Sequence, residues 1–478
     1  MESWSRSIIA ATLVILIGGS LSIAAAQAAG PPASSDRLNV LLIVSDDQQH
    51  DAMGCAGNPI VKTPNLDHLA RTGVRFTHAF VTIPICTPSR AAYLSGRFGA
   101  SNGVTFFGQR LVADTPTWAG VLAGQGYQTA ITGKWHNVRG FDEYGFDWSA
   151  NVFMAGMGPS YDDLPMIQRP GDKPKVVKGQ ITEVITDAAL RFLRERDTNR
   201  PFFLNVAYTA PHDPRMPPEE YERMYDPDKI PLPANFKPVP EPDPGTLGIR
   251  DEKLLPVPRD PAAIRRETAK YYGLITHMDG QIGRLLDALD ASGLAGNTIV
   301  VFASDNGLTL GAHGLLGKQT LHEEGVRVAL IMRHPRLGVA AATRDALVYL
   351  LDMMPTVCEW TGTPIPSNVQ GRSLADVYTG KAAGVRDAVF GRYDEREDQM
   401  FRSIRTDRYK LIQYLKLGRE QLFDLVKDPH ELNDLADDPA LAGVRRQLHD
   451  RLTAWRAEQD QAETKWRKPA SQRTPTQE

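Results

Sequence analysis

Three apolar runs constrain the fold of this chain more than any other feature. Val40 to Val44, Phe202 to Ala207 and Thr298 to Ala303 hold almost no polar residue. A strand with one wet face alternates; a continuous run fits a strand covered on both faces, as in a parallel sheet. Val74 to Val81 and Tyr127 to Ile131 read as further strands. Helical segments fall between them: Thr63 to Gly73, one begun by Ser89 to Leu94, Thr115 to Ala123, and Ala269 to Leu289. This alternation predicts an α/β fold with a large, mostly parallel sheet flanked by helices. Ligands of such sheets sit beyond the carboxyl ends of the strands. The polar residues just after each run are therefore the first candidates for a site.

The pattern changes near Val385. Ser403 to Arg405, Tyr409 to Tyr414 and Glu420 to Leu425 read as short antiparallel strands, followed by a helix from Leu441 to about Glu458. The expected organisation is an α/β domain at 36–384, a smaller C-terminal α+β subdomain at 385–463, and a disordered tail at 464–478. One stretch, Asp213 to Pro261, holds 13 of the 34 prolines. It is either a surface excursion or a loop bordering a site.

The first residues read as a targeting segment. Arg6, an apolar stretch from Ile8 to Ile23 and the small-residue site Ala26-Gln27-Ala28 predict a signal peptide at 1–28; an uncleaved anchor is the alternative. No later segment is long and apolar enough to span a bilayer. The expected location is exported, periplasmic or extracellular. A net charge of −3 disfavours a nucleic-acid partner. Three cysteines, Cys55, Cys86 and Cys358, exclude a disulfide framework and leave at least one thiol unpaired. Cys55 and Cys358 either pair or sit buried.

Six constellations follow the strands. Ser45-Asp46-Asp47-Gln48 places adjacent carboxylates at a strand end, where a hard divalent cation relieves their repulsion. Ser304-Asp305-Asn306-Gly307 offers a carboxylate and an amide oxygen at an equivalent end. Together they form an all-oxygen set, and without zinc-like His or Cys spacing the expected ion is Ca²⁺ or Mg²⁺. Cys86-Thr87-Pro88-Ser89-Arg90 lies between a strand and a helix, a place where the helix N-terminus lowers a thiol's pKa. Gly133-Lys134-Trp135-His136, Pro211-His212-Asp213 and Gly317-Lys318 add cations and imidazoles. Singly, each has an ordinary structural explanation. Gathered at one sheet edge, they are charge clamps with an acid and a base, the equipment for cleaving an oxyanion ester.

Cys86-Thr87-Pro88-Ser89-Arg90 followed by Leu94-Ser95-Gly96-Arg97 closely resembles the signature of the type I sulfatases, in the alkaline-phosphatase-like superfamily. The resemblance runs from about Asn39 to Leu435 and includes each constellation above, as well as Glu324-Gly325. It implies a sulfuric ester hydrolase whose nucleophile is formylglycine, made from Cys86 by a separate formylglycine-generating enzyme. In that family one hydroxyl of the hydrated aldehyde attacks sulfur, and the other then expels sulfate. The resemblance implies one Ca²⁺ held by Asp46, Asp47, Asp305 and Asn306, with oxidised Cys86 completing the shell. It implies that Arg90 orients the formylglycine and that Lys134 and Lys318 clamp sulfate. His136 assists breakdown of the intermediate, and His212 protonates the leaving alcohol. Two positions depart from the family pattern, Asn137 and Ala329. The implied substrate is a sulfated carbohydrate, with an aryl sulfate as alternative. A phosphodiesterase or phosphonate hydrolase on the same scaffold, and a non-catalytic binder of sulfated glycans, are the competing readings.

Overall fold

The computed structural model describes residues 37–138, 140–394 and 400–467. The expected signal peptide lies outside the described residues. Eight strands make the path of the main sheet: β1 Asn39–Ser45, β2 Val74–Phe80, β3 Gln128–Lys134, β4 Trp148–Phe153, β5 Phe202–Ala207, β6 Thr298–Ser304, β7 Leu330–Arg333 and β8 Ala342–Tyr349. Their order is β8-β2-β7-β6-β1-β5-β3-β4. The pairs β1–β5, β1–β6, β3–β5, β3–β4 and β2–β8 are parallel. Only β7 on this path runs antiparallel to its neighbours, β6 and β2. The sheet is thus mostly parallel, as expected.

Strand β1 shows why its run is continuous. Val40, Leu42 and Val44 face one core; Leu41 and Ile43 face the other. Helices α1 Pro64–Arg71, α2 Cys86–Ser95, α3 Trp118–Ala123, α4 Ile181–Glu195, α5 Pro261–Ala291 and α6 Met353–Trp360 supply the cover. Tyr93 of α2, Trp118 of α3 and Met353 of α6 fill the first core. Leu66 of α1, Phe192 of α4 and Met278 of α5 fill the second. Each fully buried aliphatic or aromatic side chain contributes roughly 1.5–3 kcal/mol. Helix α5 begins earlier than its apolar spacing predicts. The Asp260 side chain accepts from Ala262 N and Ala263 N, and Pro261 occupies the first turn, where no amide hydrogen is needed.

The C-terminal part forms a four-stranded antiparallel sheet, β9 Ala388–Asp394, β10 Met400–Thr406, β11 Tyr409–Tyr414 and β12 Arg419–Asp424, followed by helix α7 Ala442–Thr464. It shares the first core through Val389, Tyr393, Phe401, Ile412 and Phe423. The tail expectation needs correction. Helix α7 continues to Thr464, Trp466 Nε1 donates to Ala100 O at 2.7 Å, and Arg467 pairs with Glu463 at 2.6 Å. The indole hydrogen bond holds this segment to the body, and the ion pair closes the end of the helix on itself. Residues 468–478 lie outside the described residues. Cys55 and Cys358 are both free thiols, so the question of their pairing closes.

Candidate active site

The carboxyl ends of β1, β6, β3 and β5 deliver Asp46, Asp305, Lys134 and, a few residues on, His212. Register makes this convergence automatic. Ser45 pairs with Ser304 across β1 and β6, so the next residues leave the sheet side by side. Asp46 N donates to Ala210 O at 3.0 Å, and Asp305 N donates to Ser45 O at 3.0 Å. Asp47 adopts a positive φ of 67°, and its N donates to Asp305 Oδ1 at 3.2 Å. Tyr271 of α5 holds the same turn by donating to Asp47 O at 2.7 Å. Gly307 is required here: a Cβ would lie 1.9 Å from Glu324 O.

Cys86 opens α2, every residue of which is buried. Its Sγ lies 3.5 Å from Asp46 Oδ1, and Lys318 Nζ and Lys134 Nζ lie 3.1 and 3.7 Å from the sulfur. Lys134 also donates to Asp46 Oδ2, while Lys318 donates to both Asp47 oxygens at 2.7 and 2.9 Å. One turn along α2, Arg90 Nε donates to Asp305 Oδ2 at 2.9 Å and Nη1 to Lys134 O at 3.0 Å. Ser89 Oγ donates to Asp305 O. The signature spacing thus puts thiol, hydroxyl and guanidinium on one buried face.

The electrostatics correct one expectation. Burial, aided by Asp46 and Asp305, pushes the Cys86 thiol up to about 12, outweighing Lys134 and Lys318. The encoded thiol is held protonated, opposite to the lowered pKa read from the sequence. Burial also works to raise Asp46, but Lys134, His212, Arg90 and Lys318 overcome it and hold that carboxyl far below the usual range. Burial and Asp46 lift Asp305 to about 7. Burial, then Lys134 and Arg90, push His136 well below an ordinary imidazole.

The histidines flank this cluster. His212 Nε2 lies 3.7 Å from Asp47 Oδ2, and its Nδ1 lies 2.7 Å from Asp213 O. His136 has a φ of 48° and stacks on Phe107 with ring centroids 5.5 Å apart. Gly156 makes room for that ring, since a Cβ would sit 2.4 Å from His136 Cε1.

The donor set fits a hard divalent cation. Asn306 Nδ2 donates to Asp47 Oδ1, but Asn306 Oδ1 is buried without a hydrogen-bond partner. A buried acceptor left unpaired costs about 1–3 kcal/mol, and a cation among Asp46, Asp47 and Asp305 would satisfy it. Asp46, Asp47, Cys86 and His212 offer ligand atoms within 4.8 Å of one another.

All the residues expected at the site converge. Sequence reasoning missed its supports. Arg250 donates to Asp213 Oδ2 and Oδ1 at 2.5 and 2.9 Å. Glu252 accepts from Leu316 N at 2.9 Å and Gly317 N at 2.8 Å, just before Lys318. Both lie in the proline-rich stretch, which therefore borders the site. Its one signal is the run of four consecutive charged residues Arg250-Asp251-Glu252-Lys253. His313 and His322, given no role from sequence, stack on each other with centroids 3.8 Å apart and lean on Glu324 and Glu431.

The chain matches the family model "Sulfatase" over residues 38–363 and "N-sulphoglucosamine sulphohydrolase, C-terminal" over 311–458. It is 31% identical to an N-acetylglucosamine-6-O-sulfatase of Bacteroides thetaiotaomicron, covering 86% of this chain and 85% of that one. It is 31% identical to an arylsulfatase of Clostridium perfringens, covering 83% and 90%. Among solved structures, one in complex with its substrate D-glucosamine-2-N,6-O-disulfate superposes with a TM-score of 0.79 at 27% identity, covering 90% of this chain and all of that one.

Proposed function

The chain belongs to the sulfatase family of the alkaline-phosphatase-like superfamily and is a sulfuric ester hydrolase; from that premise we propose that it removes sulfate from a sulfated carbohydrate through a formylglycine made from Cys86. The observation that supports this most is the convergence of two lysine ammonium groups on Cys86 Sγ, 3.1 and 3.7 Å away, beside three carboxylates and an unpaired amide oxygen. A binder of sulfated glycans needs the cations but has no use for the carboxylates or for a conversion site between them. The carbohydrate class rests on the glucosamine sulfates named for the two similar proteins. In this reading 36–384 is the catalytic domain and 385–463 the C-terminal subdomain. A signal peptide at 1–28 directs export to the periplasm or beyond. Among the described residues, no helix is long and apolar enough to cross a membrane.

Asp46, Asp47, Asp305 and Asn306 hold one Ca²⁺ in this proposal. With formylglycine and cation in place, the site has an attacking hydroxyl and a Lewis acid for the sulfate oxygens. The chain's own residues do the rest. Lys134 and Lys318 offer ammonium protons to the anionic oxygens, where charge must be held. Arg90 fixes Asp305 against residue 86 through its Nε bond. His212 gives a proton to the departing alcohol from Nε2, because Nδ1 is already engaged by Asp213 O. His136, its Nδ1 buried without a hydrogen-bond partner, assists the step in which sulfate leaves.

Mass spectrometry of the Cys86 peptide, from a host that supplies the maturation enzyme, tests the proposal together with turnover of N-acetylglucosamine 6-sulfate. An aldehyde at Cys86 and sulfate release are expected. An intact thiol in protein that still releases sulfate would overturn the nucleophile. Faster turnover of the matched phosphate ester would overturn the preference for sulfate.

A further inference from the structure

His212 does not set its own orientation. Its Nδ1 is held by Asp213, at 2.7 Å from the backbone oxygen and 3.4 Å from Oδ1, which turns Nε2 toward Asp47. Asp213 is in turn clamped by the planar fork of Arg250, with Nη1 on Oδ2 and Nη2 on Oδ1. Arg250 makes one further contact, Nη2 to Asp251 Oδ1 at 2.7 Å. Asp251 accepts from Gln319 Nε2 at 3.0 Å, and Gln319 Oε1 accepts from Lys318 N at 3.1 Å. One short segment of the proline-rich stretch is thus linked through Asp213 to His212 and through Gln319 to the backbone of Lys318. Bidentate recognition of a carboxylate is specific to a guanidinium; an ammonium cannot reproduce it.

We propose that Arg250 is a positioning residue for the leaving-group step: it fixes the Asp213 carboxylate, which aims His212. This rests on the reading of His212 as the acid. Arg250 belongs neither to the set of cation ligands nor to the sulfate clamps. Its side chain is 44% exposed, so replacing it leaves no buried cavity. Removing such an orienting partner typically costs 10–100-fold in the function it supports. The cost falls on the step that needs the proton. An acidic phenol leaves without help, whereas a weakly acidic phenol or a sugar hydroxyl does not.

The matured enzyme is assayed with aryl sulfates of graded phenol acidity, as wild type, Arg250→Gln, Arg250→Lys, His212→Ala and the double variant Arg250→Gln/His212→Ala. Arg250→Gln is expected to lower kcat roughly 10–100-fold for the least acidic phenol and less than about threefold for the most acidic, steepening the leaving-group dependence, with KM within about threefold. Arg250→Lys recovers part of the loss. In the His212→Ala background, Arg250→Gln adds nothing, because the two act as one unit. A uniform loss across the phenols, or a full further loss in the double variant, overturns the positioning role and leaves His212 as the acid. A flat dependence for His212→Ala itself overturns the acid reading and the positioning role with it.

Discussion

Two buried charged clusters, joined by the loop from Lys318 to Glu324, are built on opposite terms. One joins the loops of the main sheet to the C-terminal sheet. There Lys410 Nζ sits between Glu323 and Glu431, at 3.0 and 2.9 Å. Glu431 also accepts from Glu323 N at 2.8 Å and leans on His322. Glu324 accepts from Asn235 Nδ2 at 2.6 Å. Each carboxylate there has an ionic or hydrogen-bonding partner supplied by the protein, although Glu324 Oε2 and Glu431 Oε1 accept no hydrogen bond. The cluster around Cys86 has pairs of the same kind, Lys134 with Asp46, Lys318 with Asp47 and Arg90 with Asp305. It also keeps Asn306 Oδ1 and His136 Nδ1 buried without partners. The junction is closed by charge, since its two leftover oxygens, Glu324 Oε2 and Glu431 Oε1, already lie in ion pairs with His313 and Lys410. The leftover amide oxygen of Asn306 carries no charge to be paired, and such a buried group lowers stability until a ligand satisfies it.

A pair of substitutions with opposite expected readouts separates the two clusters. Cys86→Ala should abolish turnover of 4-nitrophenyl sulfate, by about 10⁴-fold or more, the scale lost when a covalent nucleophile is removed. The urea midpoint should move by less than about 1 kcal/mol, because a small buried side chain replaces another. Glu431→Ala should cost about 1–3 kcal/mol in urea unfolding, since it takes one of the two carboxylates from the buried Lys410 ammonium and leaves Glu323 N without its acceptor. The protein that remains folded should still turn over substrate. If Glu431→Ala is silent in urea, or Cys86→Ala unfolds the protein, the distinction between architecture and site fails.

The two clusters were also unequally legible in the sequence. Asp46, Asp47, Asp305 and Asn306 stand directly after the continuous runs of β1 and β6, and a parallel sheet aligns such ends without further instruction. The signature around Cys86 is local, three residues on one turn of helix. The junction has no such mark. Glu431 and Lys410 meet Glu323 only after the C-terminal sheet has docked, a contact between distant parts of the chain. Arg250 was equally hidden, because it reaches Asp213 through an irregular loop with no period to read. Strand β8 escaped for a different reason. Its first half is polar, Thr343-Arg344-Asp345, and its pairing with β2 shifts register between Arg344 and Leu347. The misread thiol shows the limit of a local rule. A helix N-terminus acts over one turn, whereas burial acts on the whole group.

The unpaired amide oxygen sharpens the comparison at smaller scale. Asn306→Ala removes Oδ1 together with the Nδ2 bond to Asp47. It should weaken Ca²⁺ binding roughly 10–100-fold, the range seen when a metal's surroundings lose a partner. Calcium titration followed by the rise in melting temperature measures this directly. Glu324→Gln, in the closed cluster, should leave the calcium response unchanged. Equal calcium responses in the two variants would mean that the orphaned oxygen has no part in holding the ion.

The smallest effect concerns pH, and it belongs to the closed cluster. Burial, then His313, hold His322 below the ordinary imidazole pKa of about 6.5. As pH falls through that value, the unfolded chain takes up a proton that the folded protein still refuses. The unfolded state then binds more protons, so stability declines on acidification and is fully present only above about pH 6.5. His322→Gln removes this titration and should flatten the decline, as read from urea midpoints between pH 7 and 5. An unchanged slope in the variant would assign the acid sensitivity to another histidine and leave the junction cluster indifferent to pH.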